Sequence, residues 1–575
     1  MPSIESSEFA GGRVKPRWRG LHVWIVLLAL LILALLLGIS TPAARIFPFI
    51  GKSATQNTLE TALAGSATLR PAGYGVDRVV LRAFYAAQAY QPVWTGSEDA
   101  GTRAQTALNA LGGAGDEGLD AANYRVGALV ALQLGASLRE RTDFELLLTD
   151  ALLRYARDVR LGRVTPASVD PDVGLPAQTF DASAALESAL VQDRFDGFVV
   201  DLPPPHPEYA RLKLALRRYR AIAEAGGWPL LQSALDVKSG GESPSFDILR
   251  RRLAAEDDQL APVRPADGNL DLLPALIRYQ SRNGLAPDGI LGPKTLTMLN
   301  MTAAGRAAQI AANMERWRWL PRTLEPGHLR VNAADASVEA VKDGTVLIRS
   351  KVVVGEPDKR TPMLRTVARE ITVNPPWNVP TSIAANEILP RLRRDPTYLR
   401  SQNIVLLNGP ASDPHGLEID WRMVSPSAFP FLLQQSPGPD NPLGFLKFEM
   451  PNGYSVFLHD TPGKAAFERE SRTLSHGCIR VEQILALASF ALSGDPASAV
   501  GELSEAIATG ETRSIPLPRP LPVYLLYWTA LAREDGEVEF RPDVYGRDGR
   551  LIAALSGGGF PGPSAALAVG CSATG

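Results

Sequence analysis

The run Ser475-His476-Gly477-Cys478-Ile479-Arg480-Val481 holds one of only two cysteines in 575 residues, directly after a glycine and two positions after a histidine. A second histidine, His459, stands nineteen residues earlier and closes the apolar run Tyr454-Ser455-Val456-Phe457-Leu458. A cysteine nucleophile needs a base within hydrogen-bond reach and donors for the oxyanion formed when a carbonyl is attacked. Read as extended backbone, 475–481 puts His476, Cys478 and Arg480 on one face and turns Ile479 and Val481 toward a core. The residues that follow, Ile484, Leu485, Ala488, Ala491 and Leu492, have helical spacing. That spacing sets Cys478 just before a helix N-terminus, where the dipole favours a thiolate. A lone cysteine is ordinarily a small core residue and a lone histidine a structural one. Two histidines, a glycine and an arginine around Cys478 favour the catalytic reading.

The cluster resembles the signature of the bacterial L,D-transpeptidases with a YkuD-type catalytic domain: a histidine, a spacer, then Ser/Thr-His-Gly-Cys. Here the matching residues are His459-Asp460-Thr461-Pro462 and Ser475-His476-Gly477-Cys478-Ile479-Arg480. The resemblance implies a β-sandwich-like catalytic domain in which Cys478 is the nucleophile and His459 the general base and acid. It implies oxyanion donors in the backbone N–H groups of Gly477 and Cys478, and a supporting part for His476. For Arg480 it leaves two roles open, a substrate-carboxylate anchor or a structural salt bridge. Asp460, Ser475, Trp377 and Tyr454 are the candidate substrate-binding residues. In many relatives an Asn follows the arginine at short range, where this chain has Glu482 and Gln483.

The reaction so implied begins with Cys478 attacking the carbonyl of meso-diaminopimelate, third residue of a peptidoglycan tetrapeptide stem. D-Ala leaves, and the side-chain amine of another stem resolves the thioester as a 3→3 cross-link. The family is acylated at its nucleophile by carbapenems. Two alternatives stay open: a cysteine hydrolase of the stem, with water as acceptor, and an inactive wall-binding scaffold. The intact His459–Cys478 pair argues against the second.

Outward from this stretch, length bounds the organisation at three or four domains. A net charge of −2 gives no reason to expect nucleic acid as a partner. Six histidines without HExxH and two cysteines without CxxC offer no zinc site, and no cofactor is implied. After a basic tail at 1–20, residues 21–40 are almost wholly apolar. Such a helix rises roughly 28 Å, about one hydrocarbon core. Arg13, Lys15, Arg17 and Arg19 precede it and hold the N-terminus in the cytoplasm. The expectation is a single-pass anchor in the bacterial inner membrane with the catalytic part in the periplasm. The alternative is a cleaved signal peptide, and both readings export the catalytic part.

Residues 41–70 read as an Ala/Gly/Ser/Thr linker and 71–245 as a helical scaffold, with helices expected near 78–90 and 144–160. His206, between two prolines, reads as a surface loop residue. In 246–302, Tyr279-Gln280 before a turn and Asp288-Gly289-Ile290-Leu291-Gly292-Pro293-Lys294-Thr295 after it resemble the small three-helix peptidoglycan-binding domain. From about 305 the period becomes β-like through a catalytic domain at 303–515, with Asp343-Gly344 a hairpin turn. Residues 383–440 form an insertion, helical over 383–400 and irregular over 401–440, either a lid over the site or an ordinary excursion. Strands at 516–555 pack on the catalytic domain or scaffold. The tail at 556–575, which holds Cys571, is Gly/Ala/Ser/Pro-rich.

The expected fold class is therefore multidomain α+β: a mostly β catalytic domain with a helical insertion, a helical scaffold and a small peptidoglycan-binding domain. This order resembles the large YcbB-like subgroup of the family. That likeness implies peptidoglycan stems, other cell-wall synthesis enzymes and the inner membrane as partners.

Overall fold

The computed structural model describes residues 52–65, 69–232, 237, 244–256 and 272–557. The anchor expected at 21–40, about half of the expected linker and the tail from 558 on, with Cys571, lie outside them. Among the described residues no helix is long and apolar enough to cross a membrane.

The chain divides into two compact units, one built from the residues up to Gly101 with Leu132–Leu147, the other from Thr102–Ala131 with the remainder. In the first, Ser53 and Gln56 form a reciprocal capping box on the helix Ala54–Ala64. Asp77 caps the helix Arg78–Ala87. The unit is centred on a fully buried Glu145 carboxylate that accepts hydrogen bonds from the Val93 and Trp94 N–H groups and the Thr95 and Tyr85 hydroxyls. Burial pushes this carboxyl's pKa up. Four donors on one carboxylate make it a structural hub.

The second unit is organised on one large sheet. Strands β1 (Val173–Gly174), β2 (Gly327–Asn332), β3 (Ser337–Lys342), β4 (Thr345–Gly355) and β5 (Met363–Val373) enter it first. β6 (Trp377–Asn378), β7 (Ile404–Leu406) and β8 (Leu433–Gln435) leave it to form a separate three-stranded sheet. β9 (Leu446–Glu449), β10 (Leu458–His459), β11 (Thr473–Ser475), β12 (Ile479–Val481) and β13 (Arg513–Leu526) return. The order is β1-β5-β13-β2-β3-β4-β12-β10-β9, and β9 also pairs with β5. The hydrogen-bonded path thus closes on itself, leaving β5 and β9 no open edge between them. The β3–β4 hairpin turns on Asp343 and Gly344, both at positive φ, as their residue types predict.

β13 and the two residues after it join two cores of the unit. Alternate residues Val523, Leu525 and Tyr527 enter the core of the sheet, while Tyr524, Leu526 and Trp528 enter a second core with the helices. A strand buried on both faces reads as continuous apolar sequence, and 521–528 does. Its pairing with β5 slips between Pro516 and Leu521, where prolines cannot donate to the ladder. The expected boundary at 515/516 therefore cuts through a central strand. The period change expected near 305 also comes later: Ala303–Arg318 is a helix of the second core, and strands begin at Gly327.

The 383–440 insertion is mixed rather than helical. Its helical turns and the β6–β8 sheet share a small core of their own around Leu389, Leu392, Leu399 and Trp421. His206 stands in a loop as expected but is half-buried rather than at the surface: its ring packs on Trp317 at 5.0 Å, and Nε2 lies 3.0 Å from the Pro321 oxygen. In the expected peptidoglycan-binding segment, Gln280 is buried between helices Leu272–Arg282 and Pro293–Leu299. Its amide donates to Asp288 Oδ1 and the Ile290 oxygen, both at 2.9 Å, and accepts from Gly289 N–H at 2.8 Å. The signature residues are thus the fastening of the turn.

Candidate active site

β10 and β12 run parallel with Leu458 opposite Ile479 and His459 opposite Arg480, and β9 sets Lys447 opposite His459 on the other side. Leu458 and Ile479 are fully buried in the core. The strand period of two then puts His459, Arg480 and Lys447 on the opposite face, with Phe457 and Cys478 one step back on that same face. Cys478 is the diagonal neighbour of His459 across the ladder.

His459 is held at one nitrogen. Nδ1 lies 2.5 Å from the Asp460 carbonyl oxygen. That oxygen can only accept, so Nδ1 carries the proton and Nε2 is the bare nitrogen. Burial, with the nearby Arg480 charge, lowers the imidazole pKa to about 4. Asp460 is itself fixed, its carboxylate receiving Lys464 Nζ at 2.5 Å and Phe445 N–H at 3.0 Å. Gly444 stands at φ +60, and a Cβ there would lie 2.4 Å from Asp460 Oδ2. Asp460 thus serves by its backbone and is 5 % exposed, which removes it from the substrate-facing set.

The stretch 475–481 is not one extended segment. β11 pairs parallel with β4 through Ser475↔Gly355, and β12 pairs antiparallel with β4 through Arg480↔Val353. Residues 476–478 therefore carry the chain around the end of β4, and Gly477 takes φ +110, a conformation open to glycine. Ser475 fastens this turn. Its hydroxyl accepts from Gly477 N–H at 3.1 Å and donates to the Cys478 oxygen at 2.6 Å. At 2 % exposure, it too is internal rather than substrate-facing. The Gly477 N–H, expected as an oxyanion donor, is engaged by that hydroxyl.

Two further expectations change. The helix after β12 starts at Ile484, a whole strand beyond Cys478, so its dipole does not reach the sulfur. Burial pushes the Cys478 thiol pKa up, opposed by a backbone hydrogen bond from Phe457 and by the Lys447 and Arg480 charges. The raised thiol and the lowered imidazole pKa both favour the neutral forms. The thiol's hydrogen bond goes to the Ser455 carbonyl at 3.8 Å, and Ser455 holds φ +54. His476 leaves the face of Cys478: its Nε2 lies 2.6 Å from Glu387 Oε1 of the insertion and 2.8 Å from Lys359 Nζ.

Arg480 is half-buried, its guanidinium makes no hydrogen bond or ion pair among the described residues, and burial lowers its pKa. Lys447 pairs with Glu449 at 2.8 Å and lies 4.5 Å over the Phe457 ring. Trp377 belongs to the insertion's sheet, paired with Gln435. Tyr454 is 41 % exposed, and its ring lies against Gly174 of β1. Sequence reasoning missed Lys447, Phe457, Ser455 and Glu387. The alternation Phe457-x-His459 would have found the second of these; the others come from pairings that no local pattern announces.

Family comparisons match three stretches. Residues 79–216 match a "Scaffold domain", 263–299 a "Putative peptidoglycan binding domain", and 326–498 the YkuD "L,D-transpeptidase catalytic domain". A Haemophilus influenzae protein named "Putative L,D-transpeptidase" is 33% identical over 246 residues, 43% of this chain and 49% of that relative. The chain spans about half the length of the relative it matches. The chain carries a YkuD-type L,D-transpeptidase catalytic domain together with a peptidoglycan-binding domain.

Proposed function

We propose that Cys478 is the nucleophile of a peptidoglycan L,D-transpeptidase that forms 3→3 cross-links through a thioester, with His459 as its base. The observation that carries this is the Asp460 oxygen on His459 Nδ1, which leaves Nε2 bare beside the strand that bears Cys478. The thiol proton passes to Nε2 as sulfur bonds to the diaminopimelate carbonyl carbon. The tetrahedral oxyanion takes the Cys478 N–H as donor. On collapse the C–N bond breaks, and the imidazolium returns its proton to the departing D-Ala amine. A side-chain amine of a second stem then attacks the thioester and gives its proton to His459. Sulfur leaves and recovers a proton. A neutral starting pair suits this cycle, since charge appears only as the bond forms.

The unpaired Arg480 supports a carboxylate-bearing substrate, because a guanidinium takes a carboxylate bidentately. The Glu387–His476 contact supports a lid role for 383–440. The module matched at 263–299 supports recruitment to the wall. The same reading extends to an inner-membrane anchor, a periplasmic catalytic part and other cell-wall synthesis enzymes as partners. The test is incubation of the full chain with a tetrapeptide-stem donor and an amine acceptor. A 3→3 dimer with release of D-Ala is expected; tripeptide without dimer would assign a hydrolase instead.

A further inference from the structure

We infer that Thr361 is a positioning residue that aims the Cys478 N–H at the oxyanion. Thr361 lies 116 residues before Gly477 in sequence, yet its Oγ1 donates to the Gly477 carbonyl oxygen at 2.9 Å. Thr361 Oγ1 in turn accepts from Gly355 N–H at 3.0 Å. With its donor and one acceptor site used, the hydroxyl has one rotamer that satisfies both. Its side chain is fully buried.

The consequence follows from peptide geometry. In a trans peptide the C=O of one residue and the N–H of the next point in opposite directions in one plane. Fixing the Gly477 carbonyl therefore fixes the Cys478 N–H. Gly477 has no Cβ to restrain it and stands at φ +110, so this peptide plane would otherwise be the softest in the turn. Its own N–H is spent on Ser475 Oγ. The Cys478 N–H has no hydrogen-bond acceptor among the described residues, and it is the donor that Thr361 aims.

The hydroxyl is itself held from outside the catalytic loop. Tyr545 donates its hydroxyl to the Gly355 oxygen at 2.7 Å, and Arg547 donates to the Thr361 oxygen at 3.2 Å. Arg547 is in turn paired with Asp170. Tyr545 and Arg547, far along the chain from the cysteine loop, thus brace the loop on which Thr361 sits.

The inference rests on Cys478 being the acylated nucleophile, and the test separates the two. Two reactions of the full chain are compared: acylation by a carbapenem, which forms an oxyanion, and alkylation by iodoacetamide, which forms none. Thr361→Val is expected to slow acylation by about 10- to 100-fold, since a donor is mis-aimed rather than removed, with the alkylation rate unchanged. Thr361→Ser, which keeps the hydroxyl, is expected to restore acylation. Thr361→Ala serves as a smaller variant should valine prevent folding, with the same expectation. Equal slowing of both reactions would mean that Thr361 merely holds the loop in place, and unchanged acylation would mean that it does not act at all. Either result overturns the inference. A wild-type chain that alkylates at Cys478 but is never acylated overturns the functional reading instead, and the inference with it.

Discussion

Glu387 of the insertion reaches across to His476, 2.6 Å from carboxylate to imidazole, two residues before Cys478. Lys359 approaches the same nitrogen from the β4–β5 loop. The insertion and the cysteine loop are thus tied at one polar point through His476. If the insertion closes over bound substrate, a carbapenem adduct at Cys478 should slow amide hydrogen exchange within 383–440. Unchanged protection throughout that segment would sink the lid.

The base should show itself in pH dependence. An imidazole with a pKa of about 4 is already neutral at pH 6, so acylation should be flat from about pH 5.5 to 8 and fall only on the acid side near 4. An inflection between pH 6 and 7 would mark a preformed thiolate–imidazolium pair instead. The same shift bears on stability. The unfolded imidazole, near 6.5, binds a proton that the folded one refuses. His459 therefore favours the folded state above pH 6.5, and that contribution is lost as pH falls toward 4. His459→Ala should slow acylation by about 10²–10⁴-fold, the usual contribution of a positioned acid–base group. His476→Ala should cost less.

Arg480 should govern donor binding. Arg480→Gln removes a charge-assisted contact of about 1.5–3 kcal/mol, so the donor KM should rise by about 10- to 150-fold with kcat less affected. A KM left unchanged would return Arg480 to a structural role.

These roles were legible to different depths. The proposed pair Cys478 and His459 comes from a local pattern whose residue types suggest chemistry, without any need for tertiary structure. The helices at 78–87 and 138–161 follow from apolar spacing. What the pattern could not carry was the backbone's path around β4. Extended geometry was the default for 475–481, and one glycine at φ +110 overrides it. The dipole argument failed for the same reason, since β12 stands between the sulfur and the helix. The boundary expected at 515/516 cut β13 because the strand's pairing partners lie about 150 and 190 residues upstream in β5 and β2, beyond the reach of any local pattern.

Gln280 offers a separate test of the module matched at 263–299. Gln280→Ala leaves Gly289 N–H and the Ile290 oxygen without their partner, a loss of about 1–3 kcal/mol. Denaturant unfolding should detect it, and binding to isolated cell walls should weaken. The rate of carbapenem acylation should stay at the wild-type value; a parallel loss would mean the module contributes to the chemistry itself.

The most direct measurement is the intact mass of the full chain after incubation with a carbapenem, followed by peptide mapping. A single added carbapenem is expected on the peptide that contains Cys478, with no adduct on the folded Cys478→Ala protein. An adduct that survives Cys478→Ala, or maps to another residue, would contradict Cys478 as the nucleophile.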